Sequence, residues 1–238
     1  MTDIETPATT DFRRDRWGRP LIVPPEGGKP IAYTRASGAT KEITDRYNIE
    51  RWGNRNVAYG MAADPSLVAR LIALGGTPST WSNEQRNAAN KIVDDAQQAA
   101  LAHKAADIGT AIHRIIERAV KGEEVAAGPY QQHLDTFWQI VADHRWELSP
   151  EYCECRLVCD ELHLAGTADF IVHDPTHGWC IADLKTGRSV DYAALDYAGQ
   201  LACYAHSMLY DVATDHRLPT PPINPEIGFI IHIPAEVA

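Results

Sequence analysis

No stretch of this chain approaches the roughly 20 consecutive apolar residues that a membrane-spanning helix needs. The first residues, MTDIETPATTDF, have neither the basic nor the apolar segment of a secretory signal. Both absences predict a cytoplasmic protein without a membrane partner. Positive charge is also short: 22 Lys and Arg stand against 32 Asp and Glu, a formal net charge of −10. A protein that coats nucleic acid by electrostatics alone carries the opposite sign. Contact with nucleic acid therefore requires a local basic cluster, or an acidic site that a divalent cation neutralises. Arg13, Arg14, Arg16 and Arg19 are one such cluster, read either as a flexible basic arm or as a solvated tail. Paired C-x-x-C spacing is missing as well. Cys153, Cys155, Cys159, Cys180 and Cys203 are an odd set whose first three alternate along a strand-like run. This pattern argues for reduced, buried thiols over a disulfide framework or a metal cluster.

What is present suits an ordinary globular protein: 238 residues, 45% hydrophobic and 23% charged, enough for one sizeable core and a smaller lobe. Residues 1–30 hold Pro7, Pro20, Pro24, Pro25 and Pro30 with Gly27 and Gly28, which predicts an irregular arm that contributes no core. Residues 31–90 read as a helical lobe. Ile43, Tyr47, Trp52, Leu67, Val68, Leu71 and Ile72 fall at helical spacing, and Asp64-Pro65 marks a helix start. Residues 83–120 predict one or two helices, with Gly109 as the interruption. Residues 91–238 form the expected core. Within it a helix over 131–145 precedes strands at 151–159, 163–173 and 179–184, joined by turn residues into an antiparallel meander. A helix over 192–210 and a last strand over 227–233 complete an α/β order with a mixed sheet flanked by helices.

The chemistry-bearing residues gather in that region. Asp183 and Lys185 end an apolar strand, and the period of two puts both on one face while Leu184 points inward. Alone, D-x-K also fits a surface ion pair. Asp169 interrupts the apolar strand before it, so Asp169 and Asp183 can face each other on neighbouring strands. Two such carboxylates repel unless a cation lies between them, and hard oxygen donors suit Mg²⁺ or Mn²⁺. Gly166 either admits an approaching substrate backbone or marks a bulge. His113, with Glu117 one turn on, is a ligand candidate or a satisfied helix histidine. Gln200 and Tyr204 share a helix face, and Glu154 sets another carboxylate within a strand.

Taken together these elements resemble the PD-(D/E)XK nuclease superfamily, in its RecB-type and phage exonuclease branch. That branch runs G-x-x-x-H, a strand Glu, G-x-x-D, (D/E)-x-K and Q-x-x-x-Y. The chain has the same order in Gly109 to His113, Glu154, Gly166 to Asp169, Asp183 to Lys185, and Gln200 to Tyr204. The resemblance implies a restriction-endonuclease-like core and a metal-dependent nuclease, more an exonuclease than a sequence-specific endonuclease, with DNA as partner and a role in recombination, repair or phage DNA processing beside a recombination or replication protein. It implies that Asp169 and Asp183 bind the metal with His113 and the Leu184 carbonyl. Glu154 assists there, Lys185 orients or deprotonates the attacking water, and Gln200 and Tyr204 hold substrate or framework. The cysteine order departs from the iron–sulfur branch, so no cluster is expected. Arg51 and Arg55, in the helical lobe, are the expected DNA contacts. The other readings are a catalytically silent DNA-binding or assembly module of the same fold, and a metal phosphoesterase acting on small nucleotides.

Overall fold

The computed structural model describes residues 11–42, 45, 47–100 and 104–235, and the first of these correct the expected irregular arm. β1 (Leu21–Ile22) pairs antiparallel with β2 (Ile31–Ala32), followed by β3 (Thr34–Arg35) and the single turn α1 (Ala36–Ala39). Phe12 and Ile22 are buried with Tyr33, Val158, Ala165 and Tyr210 in one apolar cluster, so this segment supplies core. A turn holds it in place: the Asp15 carboxylate accepts the amides of Trp17 and Arg19 and pairs with the Arg19 guanidinium. The arginines are likewise engaged. Arg13 pairs with Asp215, Arg14 with Asp11, and Arg16 lies over the Trp17 ring. They are exposed to solvent but anchored, so a free arm does not describe them.

Among the described residues two units divide the chain, one within residues 11–42 and 111–235, the other within residues 45–110. Residues 31–42, expected in the helical lobe, thus belong with the sheet, and the described residues of 91–110, expected in the core, belong with the helices. The helical unit contains α2 (Tyr47–Ala63), α3 (Pro65–Ala73), α4 (Asn83–Ala99) and the start of α5 (Lys104–Val120). Asp64 caps α3 by accepting the Ser66 amide, with proline at the favoured first position. Ser82 and Gln85 cap α4 reciprocally. Leu67, Ile92 and Ala96 form its core, with Val57, Met61 and Leu74 packed against them. A side chain at Gly60 would meet the Ala96 carbonyl at 1.8 Å, so only glycine lets α2 and α4 touch there. Gly109 does not interrupt the helix but lies inside α5. One helical glycine costs about 1 kcal/mol relative to alanine, and the buried stripe of Ile112, Ile116 and Val120 outweighs that.

The sheet unit continues with α6 (Gln131–His144), β4 (Cys153–Cys159), β5 (Leu164–Asp174), β6 (Gly178–Lys185), α7 (Ala194–Ala205), β7 (Met208–Asp211), β8 (His216–Leu218) and β9 (Ile223–His232). Strand order is β8-β7-β4-β5-β6-β9, with β3 also pairing β5. The neighbours are antiparallel except for β6 with β9 and β3 with β5. The result is a mixed α/β unit, a mostly antiparallel sheet flanked by helices. The expected meander is present as β4, β5 and β6. The helix expected over 192–210 instead ends at Ala205, and residues 208–218 form a hairpin. Its turn is tied by Asp211, which accepts from the Ala213 amide and the Thr214 hydroxyl. Tyr210 continues the helical spacing of the preceding apolar residues but is buried on strand β7 beside Phe12, a partner that local periodicity cannot reveal. β9 begins before the expected strand and runs through Pro225, which an edge strand accommodates because one side needs no amide. All five thiols are free, and those of Cys153, Cys155, Cys159 and Cys180 are buried. Among the described residues no helix is long and apolar enough to cross a membrane.

Asp160, in the β4–β5 turn, fastens the N-terminal segment to the far sheet edge. It accepts from the Tyr33 hydroxyl at 2.7 Å and the Arg217 Nε at 2.9 Å, while Arg217 Nη1 donates to the Val23 carbonyl at 2.7 Å. Burial pushes the Asp160 carboxyl upward, but the hydrogen bonds from Arg217 and Tyr33 outweigh it and hold the group below the usual carboxylate range. Asp160→Asn is expected to cost about 1 kcal/mol, the charge-assisted bonds being partly screened by solvent. The readout is a lower denaturant midpoint at unchanged slope. Since the folded-state value is depressed, the charge contributes fully above the ordinary Asp range and is lost as pH falls through the lower folded value. The difference between wild type and variant should therefore vanish in strong acid.

Candidate functional site

One edge of β5 is shared. β3 occupies it at Leu164 and Ala165, and β6 occupies it from Phe170 to Asp174, while β4 lines the opposite edge. Residues 166–169 lie in the interval between. The β5–β6 ladder runs through Ile171 with Ile181 and Phe170 with Ala182, and one more step would set Asp169 opposite Asp183. There the backbone pairing stops. β6 stays paired with β9 through Lys185, and the Leu184 amide donates 2.7 Å to Oδ2 of Asp169. A side chain has taken the place of a main-chain acceptor, which keeps a buried amide satisfied where two strands part.

Crowding of negative charge follows. Burial, and then the charge of Asp183, push the Asp169 carboxyl well above the usual range. Asp183 is itself buried. Its Oδ1 has Gln200 Nε2 at 3.5 Å. Its Oδ2 touches the Lys185 ammonium as an ion pair, yet that atom is buried and accepts no hydrogen bond of good geometry. His113 approaches from α5, with Nδ1 3.6 Å from Asp169 Oδ2. Burial lowers its pKa, the Lys185 charge adds to that, and the Leu184 backbone and the acidic neighbours work in the opposite sense. The balance lies below the ordinary histidine value and favours the neutral ring, which carries a lone pair. Glu117, on the same helix, is held by Lys121.

On α7, Gln200 Nε2 lies 3.4 Å from the Tyr204 hydroxyl, and the Tyr204 ring is buried over β5. A Cβ at Gly166 would stand 2.4 Å from that hydroxyl and about 3 Å from the ring carbons. Gly166 makes room for Tyr204, rather than for a substrate backbone or a bulge. Other close approaches seat the helix: a Cβ at Gly199 would meet Thr40 at 2.8 Å, and one at Gly228 would meet Leu201 at 3.1 Å. Tyr197 was not among the expected residues. Its ring centroid lies 5.0 Å from Lys185 Nζ, inside the range of a cation–π contact. The available signal was spacing, since Tyr197, Gln200 and Tyr204 at i, i+3 and i+7 share one helix face.

Glu154 stands nearby, and its charge adds to the upward push on Asp169. It lies between the pairs Cys153 with Phe170 and Cys155 with Ala168, which sets it across from Asp169, and its φ of 58° is left-handed. Non-glycine residues held there cost energy and concentrate at functional sites. Burial, with Glu117 nearby, raises its pKa. Among the described residues no hydrogen bond or ion pair joins its carboxylate to Asp169 or Asp183. Arg51 and Arg55 lie in the other unit, exposed on α2.

As placed, no three His, Cys, Asp or Glu side chains among the described residues are arranged to hold a metal ion. The donors nevertheless fit a divalent cation: two repelling carboxylates, one buried oxygen without a hydrogen bond, a neutral imidazole and the Leu184 carbonyl. Oxygen-rich sets of this kind favour Mg²⁺ or Mn²⁺. Compared with family models, with curated proteins and with solved structures, the chain has no match.

The Gly166–Tyr204 contact is testable by a double-mutant cycle. Gly166→Ala alone should destabilise by about 1–3 kcal/mol through overpacking. In a Tyr204→Leu background, where the ring is gone, the same change should cost at least 1 kcal/mol less, a coupling of about the size expected for touching residues. Additive costs in thermal or denaturant melts would show that Gly166 does not serve to admit the ring.

Proposed function

We propose that this chain is a metal-dependent deoxyribonuclease with a restriction-endonuclease-like core. The observation that carries the proposal is connectivity. Sequence elements spread over nearly a hundred residues close into one network, from His113 to Asp169, to the Leu184 amide, to Asp183 with Lys185, to Gln200 and Tyr204, and back to Gly166. A surface ion pair leaving a strand needs none of these partners. The order of the same elements along the chain resembles the PD-(D/E)XK nucleases, which agrees with this reading.

Asp169, Asp183 and the Leu184 carbonyl, with His113 beside them, are the residues that would hold Mg²⁺ or Mn²⁺. Such a cation relieves carboxylate repulsion, draws charge from a phosphodiester and lowers the pKa of water. The remaining work belongs to the chain. Lys185, held between Asp183 and the Tyr197 ring, would offer its positive charge to phosphate oxygens as they gain negative charge and would orient or deprotonate the attacking water. Gln200 orients Asp183, and Tyr204 fixes Gln200. His113, 3.6 Å from Asp169, would add a nitrogen donor beside it. Glu154 faces the same strand step from the other side.

Labelled linear DNA, circular DNA and mononucleotides, incubated with Mg²⁺, Mn²⁺ or EDTA, test the proposal. Metal-dependent loss of linear DNA supports it and, with circles spared, identifies an exonuclease. Release of phosphate from mononucleotides alone replaces it with the phosphoesterase reading, and binding without cleavage replaces it with the silent module. Lys185→Ala should slow cleavage by about 10²–10³-fold, the size seen when one transition-state charge donor is removed, while calorimetry still detects the metal. Asp183→Ala should lose both. Near-wild-type cleavage by Lys185→Ala would remove Lys185 from the mechanism.

A further inference from the structure

α2 presents an unusual outer face. Tyr47, Arg51, Arg55 and Tyr59 follow one another at intervals of four, with Trp52 alongside. At 100° per residue they fall within an arc of about 140°. That arc faces away from Val57 and Met61, which pack into the unit's core, and from Gly60, which abuts Ala96. Tyr47, Trp52 and Tyr59 are 62%, 49% and 68% exposed as residues. Three large rings in a row on solvent are costly unless something covers them. The Arg51 guanidinium lies 5.8 Å from the Tyr47 ring centroid. The ion pairs described in this unit join Arg70 and Lys91 to Asp95, and none takes Arg51 or Arg55. Glu50, the one acidic residue of α2, falls outside the arc. In a chain of net charge −10, this face is locally positive.

We infer that this face of α2 binds single-stranded DNA, its rings stacking on unpaired bases and its two guanidiniums meeting the phosphates between them. The polymer named rests on the nuclease reading above; the choice of strand form rests on α2 itself. Aromatic side chains interleaved with arginine are the chemistry of sequence-tolerant single-strand binding, because every base offers a π face and every link a negative charge. In a duplex those base faces are already stacked on one another. Tyr47 and Tyr59 are separated by about 18 Å along the helix at 1.5 Å per residue, enough to engage several nucleotides in succession. A second copy of this chain fits poorly, since a twofold contact would bring Arg51 and Arg55 against their own equivalents. An apolar peptide groove fits poorly too, since both guanidiniums would have to be buried.

The test uses the full chain in EDTA, so that binding is read without cleavage. Fluorescence anisotropy compares a labelled oligodeoxythymidylate with a duplex of equal length. The single strand should bind at least tenfold more tightly. Trp52→Ala and Tyr59→Ala should each weaken single-strand binding by about tenfold and leave duplex binding unchanged. Arg51→Gln and Arg55→Gln should each lower the single-strand salt slope by about 0.7. All four positions are exposed, and matching melting curves verify that the variants fold. Equal affinity for the two DNA forms overturns the inference. So do unchanged single-strand affinity in both ring variants, and a shift in sedimentation showing that the rings instead bury a second copy. Cleavage by wild type with Mg²⁺ is scored separately: binding as expected without cleavage defeats the nuclease reading alone, and cleavage with unchanged ring-variant binding defeats this inference alone.

Discussion

The hydrogen bond from the Leu184 amide to the Asp169 carboxylate is the pivot of the sheet unit. A strand that leaves its neighbour must find another acceptor for its next amide or bear the cost of a buried orphan. Here the acceptor is charged, so the junction that lets β6 separate from β5 also holds Asp169 beside Asp183. Strand geometry and charge crowding are thus one feature. An alanine at residue 169 would strand the Leu184 amide as well as remove a carboxylate, and a change in the ladder would disperse the site.

The second constraint is closeness. α7 reaches the sheet because Gly166, Gly199 and Gly228 remove the side chains that would hold it off. That seating brings Gln200 to Asp183 and Tyr197 to Lys185. Glycine weakens strands and helices by its entropy, yet at these positions the loss is offset by ring and methyl contacts that no larger residue permits. Positioning of polar groups in this unit is therefore set by steric fit several residues away from them.

Much of this was legible in the sequence where the signal is local. Period-two runs marked β4, β5 and β6, and the register of a short turn was enough to set Asp169 near Asp183. Spacing on one helix joined Gln200 to Tyr204. What escaped depended on distant partners. Tyr210 reads as helix until Phe12 is known to cover it. Phe12 and Ile22 read as loop because proline and glycine surround them, and burial by a strand far along the chain is invisible to composition. Arg13 and Arg19 look like a basic arm until Asp215 and Asp15 are found opposite them. Gly166 was noticed for the right reason, that something approaches closely, but only the fold identifies Tyr204 as that neighbour. Gly109 misled because one weak helix residue was read without the apolar stripe that carries the helix past it.

The fastening of the N-terminal segment has a kinetic side. Tyr33 meets Asp160 across 127 residues of chain, Val23 meets Arg217 across 194, and Arg13 meets Asp215 across 202. Contacts so far apart in sequence are slow to form, because the loop they close is lost as entropy before any contact repays it. During synthesis the segment from Phe12 to Tyr33 emerges well before β8, the last element it needs. Phe12, Ile22 and Tyr33 lack their apolar partners until β4, β5 and β7 supply Val158, Ala165 and Tyr210. The cluster that joins Phe12, Ile22 and Tyr33 to Tyr210 is consequently among the later parts of the sheet unit to assemble.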